Sequence, residues 1–290
     1  MTYSLAGTGI WSGALRYGDE TAAAEAAAEL EELGYSALWI PDVGGDLFSP
    51  LQNLLEATNT LTIATGILNL WMHEPAVAAA KFHEYTDRFN GRFLMGIGIS
   101  HALLIDGSDA GHYDRPLAKT REYLDGLDAQ TPPVPTASRL LAALGPKMLE
   151  LSATRAGGAH TYLVTPEHTA IAREAIGPDR LLATEQAVVL ETDPDRARAL
   201  AREHLAGYRI LPNYSNNWLR LGFNESDLDD GCSDRLVDAL VVWGDEEAIR
   251  SRVQQHRDAG ADHVCIQVLE DDMLDFQLDQ SRRLAPVLID

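Results

Sequence analysis

Cysteine is nearly absent from this 290-residue chain: there are two, Cys232 and Cys265, neither beside a CxxC spacing. That excludes a disulfide framework and a zinc knuckle, and both thiols are expected to stay reduced in a cytoplasm. Lysine is as scarce, with three residues, and 23 basic against 44 acidic side chains leave a formal net charge of −21. A nucleic-acid or anionic-membrane partner is excluded by that balance. No stretch reaches about 18 apolar residues. The amino terminus MTYSLAGTGIWSG has neither a basic n-region nor an apolar h-region, so a soluble, unexported protein is expected. There is no GxSxG elbow, no GxxxxGK[ST] loop and no HExxH pair, which removes the common hydrolase, phosphate-loop and metalloprotease readings. The runs GTGIWSG (7–13) and GIGISH (96–101) begin as GxG but lack the third glycine of a dinucleotide fingerprint. The nine histidines are scattered, and no metal site is expected.

What is present is core. A hydrophobic fraction of 46% is ample for a packed α/β interior and incompatible with disorder. Short apolar runs at 5–11, 37–41, 61–68, 92–100, 139–145, 159–164, 181–192 and 262–269 alternate with helical patterns. The helices carry start and stop signals: Asp19 before an acidic first turn and Gly34 after it, Pro75 and Gly91, Thr165-Pro166-Glu167, Asp193-Pro194-Asp195. Eight strand–helix units without a linker predict a single (β/α)8 TIM barrel over 1–290, rather than an open doubly wound sheet, which usually stops at about five or six strands. Two stretches stand outside the repeat, 101–115 after the fourth strand and 208–243 after the seventh helix. The second is aromatic and Asn-rich, and reads either as a lid over an apolar ligand or as an excursion packed on the barrel.

Barrel active sites lie at the carboxyl ends of the strands. Trp11, Asp42, Asn69, Trp71, His101 and Tyr162 fall there. The tryptophans serve equally as rim packing or ligand contacts, Asp42 as a cap, and Asn69 as the partner of a turn. GPKM (145–148) opens a helix directly after a strand. It is either an ordinary proline-started helix or a phosphate cradle of backbone N–H groups, with Lys147 adding charge.

The ordered set ALWIPD, ATGILNLW with a helix from Pro75, RFLMGIGISHA, AALGPKMLELSATRAGGAHTYLVTPEH and TDPDRARALAREHLAGY resembles the luciferase-like monooxygenase superfamily. Within it, the likeness is to the actinobacterial branch that uses the deazaflavin coenzyme F420. The resemblance implies a (β/α)8 barrel, commonly dimeric, that binds a small-molecule substrate beside the cofactor. It places a non-prolyl cis peptide at Gly66-Ile67, behind the ring, with Asn69 and Gly98 nearby. Phosphate and tail contacts fall on Gly145, Pro146, Lys147 and Met148 and on Tyr162, Leu163, Val164 and Thr165. A substrate pocket is implied among Trp11, Trp71, Tyr214 and Trp218. Departures accompany the likeness: the Asp-His pair of related dehydrogenases is Asp42-Val43, the acid after the fourth strand is His101, and AGG (156–158) replaces Ala-Asp-Gly. The implied activity is hydride transfer between F420 and an apolar organic substrate, with His101 and Asp42 as the catalytic candidates. An FMN-dependent monooxygenase and a degenerate, non-catalytic binding barrel are the alternatives.

Overall fold

The computed structural model describes residues 5–270, 276 and 278–289; residues 1–4, part of the amino-terminal run read above, lie outside them. Among the described residues ten strands follow in chain order: β1 (Gly7–Trp11), β2 (Ala37–Ile40), β3 (Thr62–Thr65), β4 (Leu68–Asn69), β5 (Phe93–Gly98), β6 (Arg139–Ala142), β7 (Gly158–Thr161), β8 (Leu181–Val189), β9 (Val241–Trp243) and β10 (His263–Val268). Every pairing is parallel. Eight strands close into a ring in the order β1-β2-β3-β5-β6-β7-β8-β10, with β10 returning to β1. The ladder from Ala183↔His263 to Val188↔Val268 completes the closure. The chain is the predicted (β/α)8 barrel.

The local signals account for the helices. Asp19 accepts from Ala22 N, Thr165 from His168 N and Asp193 from Asp195 and Arg196 N, each satisfying N–H groups that a helix start leaves open. Pro75, Pro146, Pro166 and Pro194 open helices, where a missing N–H costs nothing. Gly34 ends the helix Glu20–Glu32 and its connection at φ +92°, a conformation that penalises a side chain.

Two strand runs differ from the apolar runs that mark them, and the insertion outside the repeat is itself regular. The third strand breaks at Gly66-Ile67, so that β3 and β4 replace one run. The fifth apolar run, 139–145, stays extended in the sheet only to Ala142. The stretch 208–243 is ordered into helices Pro212–Arg220, Glu225–Leu228 and Asp234–Leu240, and it ends in β9, which pairs with the carboxyl end of β8. Polar faces and a short three-residue strand hid that regularity from a reading based on apolar runs.

Inside the ring, Trp39 is fully buried, its indole stacked on His160 at 4.4 Å and donating from Nε1 to His263 Nε2 at 3.0 Å. Ala37, Ala64, Leu94, Leu140, Ala183 and Cys265 pack around it. This plug fills the lower barrel and leaves the carboxyl ends of the strands as the mouth. Among the described residues no helix is long and apolar enough to cross a membrane, and no cluster of three or more His, Cys, Asp or Glu could hold a metal ion.

Candidate active site

One wall of the mouth is built from backbone. The Gly66-Ile67 peptide is cis, Gly66 N donates to Ile40 O at 2.7 Å, and Gly66 O accepts from Trp11 Nε1 at 2.9 Å. A Cβ on Gly66 would lie 2.9 Å from Trp11 Nε1 and 3.2 Å from Trp39 Cβ, and one on Gly98 only 2.3 Å from Ile67 Cδ1. On that side neighbouring side chains fill both positions, Trp11 and Trp39 over Gly66 and Ile67 over Gly98, so a Cβ at either would force a neighbour to move.

From that wall an arc of rings crosses the mouth. Trp11 lies 5.3 Å from Tyr162, Tyr162 lies 6.2 Å from Tyr214, and Tyr214 lies 5.3 Å from His101. Tyr208 completes the group, 5.0 Å from Tyr214. Tyr162 donates its hydroxyl to Gln267 Oε1 at 2.7 Å and sits 3.0 Å from the Tyr208 hydroxyl. Burial pushes the Tyr162 and Tyr214 phenols well above their ordinary range and Tyr208 up to about 12, so all three are neutral hydrogen-bonding groups. His101 receives a hydrogen bond on Nδ1 from Asn213 Nδ2 at 3.2 Å, and burial drives its pKa down to about 4. Below the arc, Glu185 is fully buried in β8, its Oε2 accepting from Leu163 N at 2.9 Å and its Oε1 without a partner. Burial raises that carboxyl to about 8, as expected where no cation offsets desolvation.

The sequence candidates separate into two groups. Trp11, His101, Tyr162 and Tyr214 meet at the arc, with Gly66, Ile67 and Gly98 as its wall. Asp42 is elsewhere: its side chain has no exposed surface and takes Arg16 Nη1 at 3.0 Å, His73 Nε2 at 2.8 Å and Asn69 N at 3.0 Å. Burial alone would raise the carboxyl, but these donors and the Arg16 charge hold it below its ordinary range. Asp42 thus ties together the connections after β1, β2 and β4. Asn69 is buried within the same latch and accepts from Trp71 N at 3.1 Å. Trp71 donates to Ile99 O at 2.9 Å and packs against Tyr113 of the 101–115 stretch. Trp218 is fully buried and donates to Leu163 O at 3.1 Å.

Two strand-to-helix junctions flank the arc. Gly145 is the N-cap of the helix Pro146–Arg155, which no side chain caps, and Met148 N and Leu149 N donate to Gly145 O. Lys147 is exposed at its start. Across from it, Tyr162–Thr165 runs into the helix Pro166–Ile176, with Leu163 at φ +50° and Val164 buried. Sequence reasoning missed Glu185, Gln267, Tyr208 and Asn213 as neighbours of the arc. A lone acid inside the apolar run LLATEQAVV was a signal for Glu185; Tyr162 and Gln267 are 105 residues apart, which no local pattern bridges.

The fold has counterparts among solved structures. In structure, an F420-dependent secondary alcohol dehydrogenase in complex with an F420-acetone adduct superposes with a TM-score of 0.77 at 18% identity, covering 99% of this chain and 100% of that one. The oxygenating constituent of 3,6-diketocamphane monooxygenase from Pseudomonas putida, in complex with FMN, gives 0.68 at 13% identity over 98% and 97%. In sequence, a Mycobacterium tuberculosis protein provisionally named a coenzyme F420-dependent oxidoreductase is 27% identical over 103 residues, which is 35% of this chain. The matched stretch spans 30% of that relative's length. A family model described as luciferase-like monooxygenase matches residues 4–263. The chain belongs to the luciferase-like monooxygenase family.

Proposed function

We propose that the protein is an F420-dependent oxidoreductase acting on an apolar organic substrate at the mouth of the barrel. The observation that carries this reading is the group of neutral aromatic side chains, Trp11, Tyr162, Tyr208 and Tyr214, gathered at the carboxyl ends of the strands. Such rings suit an apolar planar tricycle, and the junctions at 145–148 and 162–165, where helices begin, suit the anionic tail that the overall charge of −21 would otherwise repel. Bound there, the deazaflavin would supply the carbon that accepts or gives a hydride.

The chain's own residues orient and manage a proton. Since Asn213 donates to Nδ1, the His101 proton resides on Nε2, and burial keeps the ring uncharged at neutral pH. We assign His101 as the group that holds and moves the proton coupled to hydride transfer. Its titration lies near 4, below the ordinary histidine value of 6.5. Tyr162, fixed by Gln267 and Tyr208, orients the ligand, and the Asp42 latch acts as positioning for the loops beneath. Likeness in sequence and structure to proteins named for F420 favours the deazaflavin over FMN; the neighbour in complex with FMN keeps flavin monooxygenation as the second reading.

The test is an equilibrium titration of the purified chain with F420 and with FMN, followed by fluorescence. F420 binding tighter than FMN is expected. Preference for FMN would replace the proposal with the monooxygenase, and binding of neither would leave a non-catalytic barrel.

A further inference from the structure

The insertion 208–243 reaches past the arc to the junction at Gly145. Arg220, the last residue of the helix Pro212–Arg220, places Nη2 3.6 Å from where a Cβ on Gly145 would stand. Its charge also bears on His168 in the first turn of the helix Pro166–Ile176, lowering that imidazole's proton affinity beyond the effect of burial. Among the described residues Arg220 has no carboxylate partner; it donates to Asn217 Oδ1 at 3.2 Å. Asn217 is 2% exposed, and its Nδ2 is buried with no acceptor. With Oδ1 turned to Arg220, that carboxamide lies at the same corner as the uncapped helix start. Asn217 is thus left with a buried, unused N–H pair, and beside it Arg220 presents an exposed cation with no carboxylate partner among the described residues. The helix is held in this position by Trp218, whose Nε1 grips Leu163 O.

We propose that Arg220 and Asn217 bind the phosphoryl group of the cofactor tail, so that the insertion is an anion clamp as well as a cover. This rests on the reading that the junctions at 145–148 and 162–165 hold that tail. An unmatched buried donor such as Asn217 Nδ2 is costly and a guanidinium hydrogen-bonds phosphate oxygens in pairs, so a phosphoryl group, with several oxygens, suits the two side chains together.

The experiment compares the full-length chain with its Arg220→Gln and Asn217→Ala variants, using F420, FMN, riboflavin and inorganic phosphate as probes. Arg220→Gln changes an exposed side chain, and its ligand-free melting temperature should match that of the parent. Its affinity for the phosphate-bearing cofactor should fall by about ten- to a hundredfold, the scale of one charge-assisted hydrogen bond. Affinity for riboflavin, which has no phosphate, should not change. Parent-like affinity of both variants for the cofactor would overturn the clamp. If the parent binds neither cofactor, the cofactor reading fails on its own, and phosphate decides the clamp: a thermal shift lost in Arg220→Gln supports it, and no shift in the parent overturns it.

Discussion

His101 carries the sharpest claim about a single side chain. It stands at the end of the ring arc, accepts from Asn213 and is neutral at pH 7. Replacement by Asn keeps a polar planar group but removes the transferable proton. His101→Asn should leave cofactor affinity intact and lower turnover by about 10²–10⁴-fold, the usual scale for acid–base catalysis. Full turnover, measured with a substrate found by following F420 absorbance, would take His101 out of the mechanism. The parent's activity should be flat across pH 6–7 and fall only toward about 4, where the imidazole takes its second proton. The position of His101 at a strand end was readable from GIGISH; its acidity was not, because the burial comes from Tyr214 and Asn213 on an insertion more than a hundred residues away.

At the scale of elements, strands and helix starts were legible because their causes are local: apolar runs, Asp or Thr caps and opening prolines. What escaped the sequence depends on neighbours in space. The break between β3 and β4 is set by Trp11 and by Gly98 of β5, and the insertion's regularity by Trp218 reaching Leu163. The approach of β5 to the broken strand yields a direct test. In Gly98→Ala the new methyl would meet Ile67 Cδ1 at 2.3 Å, and such overpacking costs about 1–3 kcal/mol. The melting temperature should drop and cofactor affinity with it. Adding Ile67→Ala should restore part of the stability, since the two changes share one contact; strictly additive losses in a double-mutant cycle would show that the wall is not set by this pair.

Across the whole molecule, buried ionisable groups define a window of pH. His160, His204, His256 and His263 are pushed down by burial to about 4, 4, 3 and 3. The unfolded chain takes up protons first as pH falls below about 6.5, so this part of the stability is complete above 6.5 and is lost toward 4. Glu185 acts in the opposite sense: raised to about 8, it keeps its proton in the folded state while the unfolded chain has released it, so stability declines as pH rises from its ordinary 4.5 to 8. Calorimetric melting should therefore peak near neutrality. Glu185→Gln should lift stability at every pH above about 4.5, by an amount that grows up to about 8 and is constant beyond; an unchanged pH profile would mean that Glu185 is ionised in the folded protein. The plug of Trp39, His160 and His263 has a kinetic meaning as well. With the barrel filled below by its own side chains, a ligand held among the strand ends arrives and leaves on that side alone.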